Sequence, residues 1–275
     1  MSTTLESVDS STAGQLVVRP AEVTPRRPDQ QLRLPLGPRL VAEFIGTFFL
    51  VLTVCTATNP EHGAGALAPL AIGSVLMVMV FAGGHISGGH YNPAVSTAVL
   101  VRRKLALDEW SAYVAAQLIA AAVAGLVARG LNGPGRTGTA GSTWKILIVE
   151  FIFTFALAYV VLNVATSKAT EGNSYFGLAI GFTVAAGAFA VGGISGGAFN
   201  PAVALGASVL GIFNWSHYWI YVIATLTGGI VAAATFLYMQ PSERAHTQET
   251  FRGSCLESAE RPPNGAPELT RTKEC

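Results

Sequence analysis

Between Gly172 and Ser242 the chain runs for 71 residues without one Asp, Glu, Lys or Arg, and between His62 and Val101 it does so for 40. A soluble domain cannot be built from such stretches, because its surface must meet water, whereas a bilayer accepts them. Of the 33 charged residues, nine fall in positions 1–39 and eleven in 241–275, which leaves 13 for the 201 residues between. With 51% of its 275 residues hydrophobic, the chain is neither disordered nor collagen-like. Cys55 lies inside an apolar segment and Cys255 and Cys275 in the polar tail, so no disulfide framework is implied. The net charge of +1 and the lack of a dense basic run argue against nucleic acid as a partner.

A hydrocarbon core of roughly 30 Å takes about 20 residues of helix. Cutting the block at its charges, prolines and glycines yields six such segments, 40–57, 64–82, 110–128, 146–166, 172–191 and 217–239. Two shorter apolar pieces, 93–101 and 201–211, are too short to cross and read as re-entrant half-helices. The organisation expected is a mobile N-terminal arm (1–38), a membrane domain (39–240) with repeats at 39–140 and 141–240, and a mobile C-terminal tail (241–275). The arm lacks the apolar run of a secretory signal. Six spans put both ends on one side. Arg33, Arg39, Arg102, Arg103, Lys104, Lys168 and Arg244 share that side, against Arg129, Arg136 and Lys145 on the other. The positive-inside rule then makes both termini cytoplasmic, with a plasma or inner membrane favoured over an organelle. Asn214-Trp215-Ser216 is a glycosylation sequon on the outer side, a match too short to carry weight.

The segment from Gly84 to Val95, with Ser87-Gly88-Gly89 and Asn92-Pro93-Ala94, recurs from Gly192 to Val203, with Ser195-Gly196-Gly197 and Asn200-Pro201-Ala202, at an offset of 108. Ala71-Ile72-Gly73 recurs as Ala179-Ile180-Gly181 at the same offset. Glu43, Thr47 and Leu50 recur at offset 107 as Glu150, Thr154 and Leu157. Each copy holds three spans and one half-helix, and an odd number of crossings sets the copies upside down relative to each other. Inverted repeats place their site near the midplane. Asn is a preferred N-cap and Pro suits the first helical position, so Asn-Pro-Ala twice at matched depth reads as two half-helix N-termini facing each other. Irregular backbone at that depth must be buried or line a cavity.

Across residues 40–240 the sequence resembles the major intrinsic protein family, the aquaporins and glycerol facilitators. The resemblance rests on the two Asn-Pro-Ala motifs, the Glu-x-x-x-Thr-x-x-Leu starts of spans one and four, and Tyr113-Val114-Ala115-Ala116-Gln117. It implies an all-α membrane fold of six spans and two half-helices. It further implies a homotetramer with one pore per subunit, in which Asn92 and Asn200 donate to a single file of solute. Two helix N-termini, each worth about half a positive charge, would repel cations from the pore centre, a device of aquaporin-type pores.

The family's outer filter corresponds by spacing to Ile72, Ala188, Gly197 and Val203. Val203 stands where most members carry Arg and Ala188 where strict water channels carry His. Arg would supply a fixed charge and several donors and narrow the pore; these four offer methyl groups and backbone. The expectation is a wide, apolar filter passing water and small neutral solutes, with glycerol, urea, ammonia and hydrogen peroxide as candidates. The tonoplast intrinsic proteins carry a similar Asn-Pro-Ala-Val motif. Ala204 replaces the glycerol facilitators' Asp, and Gly197 the cysteine of mercury-blocked members. Tyr221-Val222 and Ala224-Thr225 depart from the span-six pattern of water channels.

Glu43 and Glu150 are the carboxylates inside the spans. Proton coupling is one role for such acids; in the family, the equivalent Glu holds the backbone of a re-entrant loop, and the duplicated position favours that reading. His85 and His90 flank the cytoplasmic mouth and are candidates for gating or for loop hydrogen bonds. No metal-ligand spacing occurs, and no cofactor is expected. Asp108 and Glu109 read as helix-start acids. Three classes remain: a passive channel, in which a strict water channel is the alternative to a broad one; a proton-coupled transporter; and an intramembrane enzyme. The enzyme lacks a nucleophile with a base, and the transporter lacks ionisable groups at the midplane, so a channel fits best.

Overall fold

The computed structural model describes residues 34–135 and 142–243. Most of the expected arm and tail, with Arg33, Arg136, Arg244, Cys255 and Cys275, lies outside the described residues.

Among the described residues eight α-helices follow in chain order: α1 (Leu36–Ala57), α2 (Ala68–Ser87), α3 (Pro93–Val101), α4 (Leu107–Asn132), α5 (Thr143–Ala165), α6 (Phe176–Ser195), α7 (Pro201–Leu210) and α8 (Tyr218–Met239). Short 3-10 turns at Gly65–Leu67 and Trp215–His217 lead into α2 and α8. Six of these elements are long and apolar enough to cross a membrane, and α3 and α7 are the two short ones. Apolar side chains such as Phe182 and Trp219 stand about half exposed on the outside of the bundle, the surface a lipid solvent requires.

Helix ends fall later than the expected segment bounds in α2 and α6. Both continue through a Gly-Gly pair to Ser87 and Ser195 and stop where Gly88 (φ 94°) and Gly196 (φ 89°) adopt the left-handed conformation. That conformation closes a helix C-terminus and favours glycine. At the other end of the chain, packed structure continues through Glu243, three residues beyond the expected end of the domain.

The two repeats interlock. α1 packs on α4 and α5 on α8 within the copies, while α2 packs on α6 across them and each half-helix lies on helices of the other copy: α3 on α8, and α7 on α4 and α1. Gly73 and Gly181, repeat mates, face each other across the α2–α6 contact; a Cβ on Gly73 would stand 2.6 Å from the Gly181 carbonyl oxygen. Small residues allow such close approach of backbones in membranes, where packing replaces the hydrophobic drive.

Candidate functional site

The N-termini of α3 and α7 meet inside the bundle, and each asparagine there makes one accepted and one donated hydrogen bond. Asn92 has extended backbone (φ −157°, ψ 117°), and its Oδ1 accepts from Ala94 N at 2.8 Å, capping α3. Asn200 (φ −162°, ψ 120°) caps α7 through Ala202 N at the same distance. The amide nitrogens cross over: Asn92 Nδ2 donates to Phe199 O and Asn200 Nδ2 to Tyr91 O, both at 2.9 Å. An amide offers one acceptor oxygen and two N–H donors. Here the oxygen and one hydrogen are committed, so each asparagine keeps one N–H, and both residues line the central cavity. The half-helix dipoles place their positive ends at the same point.

The loops that present these asparagines are held by the two buried acids. Glu43 accepts from Ser87 Oγ (2.6 Å), His90 N (2.9 Å), Tyr91 N (2.7 Å) and Gln117 Nε2 (2.8 Å). Glu150 accepts from Ser195 Oγ (2.6 Å), Ala198 N (3.0 Å) and Phe199 N (2.6 Å). Both are fully buried. Tyr113 and Tyr221, again repeat mates, donate their hydroxyls to Ser87 O and Ser195 O. Irregular backbone removed from water needs such partners, and the acids supply acceptors where no helix or sheet can.

A cavity lies between the repeats, and its sixteen lining residues are eight repeat-related pairs. At offset 107 stand Leu50 with Leu157 and Val54 with Val161; at offset 108 stand Ile72 with Ile180, Leu76 with Val184, Gly89 with Gly197, His90 with Ala198, Asn92 with Asn200, and Val95 with Val203. The wall thus carries three polar side chains, Asn92, Asn200 and His90. Of the four expected filter positions, Ile72, Gly197 and Val203 are in this wall. Ala188 is not; it stands behind Gly197, whose Cβ, if present, would lie 3.5 Å from the Ala188 Cα. The two histidines separate as well. His90 is buried in the wall with Nδ1 3.1 Å from Ser96 Oγ, whereas His85 is exposed in the last turn of α2.

Several contributors escape a reading of motifs alone. Ile180 is marked by the repeat offset carried over from Ile72, whereas Leu76 and Val184 are apolar residues in apolar spans with no such mark. Ser96 and Gln117, bonded at 3.0 Å, tie the His90 ring to Glu43, an arrangement without counterpart in the second repeat, where Ala198, Ala204 and Thr225 occupy the matching positions. Away from the cavity, Arg102 pairs with Glu243 at 2.6 Å, and Glu243 also accepts from Ser167 Oγ and Lys168 N. No group of three or more His, Cys, Asp or Glu suited to a metal occurs among the described residues.

This geometry agrees with what the chain is similar to. The family model described as "Major intrinsic protein" matches residues 30–84 and 73–238. Aquaporin NIP1-1 of Oryza sativa subsp. japonica is 34% identical over 239 residues, covering 83% of each chain. Nodulin-26 of Glycine max is 34% identical over 251 residues, covering 87% of this chain and 92% of its own. In fold, the X-ray structure of the aquaglyceroporin from Plasmodium falciparum aligns with a TM-score of 0.61 at 22% identity, over 77% of this chain and all of that one. Two inverted Asn-Pro half-helices, the acids behind them and the match along nearly the whole membrane block therefore have one reading: the chain belongs to the major intrinsic protein family.

Proposed function

We propose that the chain is a passive transmembrane channel whose lumen is the repeat-paired cavity, and that it passes water together with small neutral solutes such as glycerol, urea, ammonia or hydrogen peroxide. The observation that carries this reading is the composition of the wall: three polar side chains, two of them asparagines with one amide hydrogen each to spare, set among aliphatic residues. A solute oxygen accepts from Asn92 and Asn200 at the point where both half-helix dipoles are positive. A neutral molecule meets little resistance there and a cation meets a barrier. Ile72, Gly197 and Val203 form the filter, with Ala188 behind Gly197, and its lack of a charged or donor side chain favours a broad neutral range over water alone. Glu43 and Glu150, occupied by loop donors, serve as loop holders rather than as carriers of protons.

Family membership supports a homotetramer in which each subunit has its own pore. The excess of cations on the side of Arg39, Arg102 and Lys168 supports cytoplasmic termini. Stopped-flow light scattering on proteoliposomes tests the reading: shrinkage in sucrose reports water, and shrinkage followed by reswelling in glycerol or urea reports the larger solutes. Reswelling well above that of protein-free vesicles is the expected result. Water flux without reswelling leaves the strict water channel as the reading, and flux that saturates or follows an ion gradient replaces the channel with a transporter.

A further inference from the structure

Tyr91 and Phe199 immediately precede the two asparagines, and their carbonyls are the ones that receive the crossed amides. Both have φ 49°, in the left-handed region that bulky side chains rarely occupy. Something has to hold them there. In the second repeat the Phe199 ring rests on Phe153, with centroids 5.4 Å apart, and against Gly187. The first repeat is built differently. The buried Tyr91 ring lies in a slot whose sides are Gly46 on α1 and Gly83 on α2, where a Cβ would overlap the ring or its hydroxyl. That hydroxyl donates to Met79 O at 2.9 Å, one turn earlier on α2. The repeat mates of Gly46 and Gly83 are Phe153 and Val191, so the second copy holds no such slot.

We propose that Tyr91 is a positioning residue for Asn200. Its phenol, clamped between α1 and α2, fixes the left-handed backbone that aims the Tyr91 carbonyl at Asn200 Nδ2, and so decides which amide hydrogen of Asn200 faces the lumen. The inference rests on the reading of Asn200 as a lumen donor. Were the carbonyl to turn away, the Asn200 amide would keep only its capping bond to Ala202 N, and the donor that orients a passing oxygen would lose its direction. Discrimination against protons should then fall before water flow does.

The glycine geometry supplies a test by rescue. A Cβ at position 83 would collide with the Tyr91 hydroxyl alone, since the next atom, the ring Cζ, lies at 3.4 Å, which is ordinary contact. A Cβ at position 46 would collide with the ring carbons themselves. Proton flux, read with an entrapped pH dye, and water flux are measured in proteoliposomes of wild type and variants. Gly83→Ala is expected to raise the proton-to-water flux ratio about two- to tenfold, the range that one lost hydrogen bond spans. Adding Tyr91→Phe returns the ratio to that of Tyr91→Phe alone, whereas the same addition does not rescue Gly46→Ala. Gly177→Ala, which crowds the Phe81 ring at 2.9 Å on the α6–α2 contact, controls for crowding as such and leaves the ratio unchanged. Tyr91→Ala, which empties the slot without a clash, raises the ratio and decides the matter if Gly83→Ala yields no folded protein. A wild-type ratio in Tyr91→Ala or Gly83→Ala, failure of the Phe rescue, or an equal effect of Gly177→Ala overturns the proposal. A wild type that conducts no water removes the reading of the site instead.

Discussion

Arg102, completely buried at the C-terminal end of half-helix α3, meets the carboxylate of Glu243 at 2.6 Å, 141 residues further along the chain. The guanidinium also lies over the Phe236 ring, 4.9 Å from its centroid. Because Glu243 accepts from Ser167 Oγ and Lys168 N as well, one carboxylate joins the end of a half-helix, the α5–α6 connection and the segment after α8. Burial pushes the Glu243 carboxyl upward, but the Lys168 and Ser167 hydrogen bonds and the charges of Arg102 and Lys104 outweigh it and hold the group below its ordinary value. A group depressed on folding stabilises the fold above its ordinary titration range, near pH 4, and stops doing so as pH falls through the depressed value. Hydrogen exchange in residues 163–173 should therefore quicken on acidification below about pH 4. Glu243→Gln should lose about 3 kcal/mol at neutral pH, as expected when one partner of a buried pair is removed, and should show little further acid response. Equal protection in wild type and variant at pH 7 would refute the clasp.

The acids behind the loops should be far less tolerant than any other polar group in the bundle. Glu43→Ala strands the donors of Ser87, His90, Tyr91 and Gln117, and Glu150→Ala those of Ser195, Ala198 and Phe199. At about 1–3 kcal/mol for each unsatisfied buried group, either change outweighs much of a typical folding free energy. The expected outcome is loss of folded protein, measured as detergent-soluble monodisperse yield and thermal midpoint. A proton-coupling role predicts instead a folded protein with altered pH dependence of flux.

What the sequence made legible, and what it hid, follows from duplication. Asn92 and Asn200 stand out because a common dipeptide appears twice at one offset, and Glu43 is read as a loop holder because Glu150 repeats it. The ends of α2 and α6 were less legible: Gly83-Gly84 and Gly192-Gly193 look like breaks, yet the helices continue to the left-handed Gly88 and Gly196. Leu76 and Val184 were invisible as wall residues, since an apolar side chain in an apolar span carries no mark of whether it meets lipid or lumen. The Arg102–Glu243 pair has no repeat mate and no periodicity, and only the folded chain brings it together.

Mercury sensitivity separates the wall from the core. Cys55 is completely buried and is not part of the cavity lining, although Val54 next to it is. Reactivity needs an accessible thiolate, and an enclosed thiol is inert. Wild-type water flux should thus survive mercuric chloride, while Val203→Cys, close to isosteric and in the wall, should become mercury-sensitive with recovery on adding a thiol. Full block of the wild type at low micromolar mercury would place a reactive cysteine in the path.

The proposed filter is tested most directly at Val203, which is 3% exposed and sits three residues after Asn200 on α7, in the cavity wall that its repeat mate Val95 also lines. Val203→Arg introduces a fixed positive charge and a fork of donors and fills space that methyl groups now leave. Two effects should follow together. Glycerol and urea reswelling should drop by about tenfold or more while water flux falls less, since a difference of only about 1.4 kcal/mol in barrier separates the two. Proton leak should also fall, because a second positive barrier is added in series with the half-helix dipoles at the pore centre. The paired readout matters: a variant that lost all fluxes equally would indicate misfolding, and one that changed neither solute range nor pH-gradient decay would show that the apolar filter positions do not set selectivity in this pore.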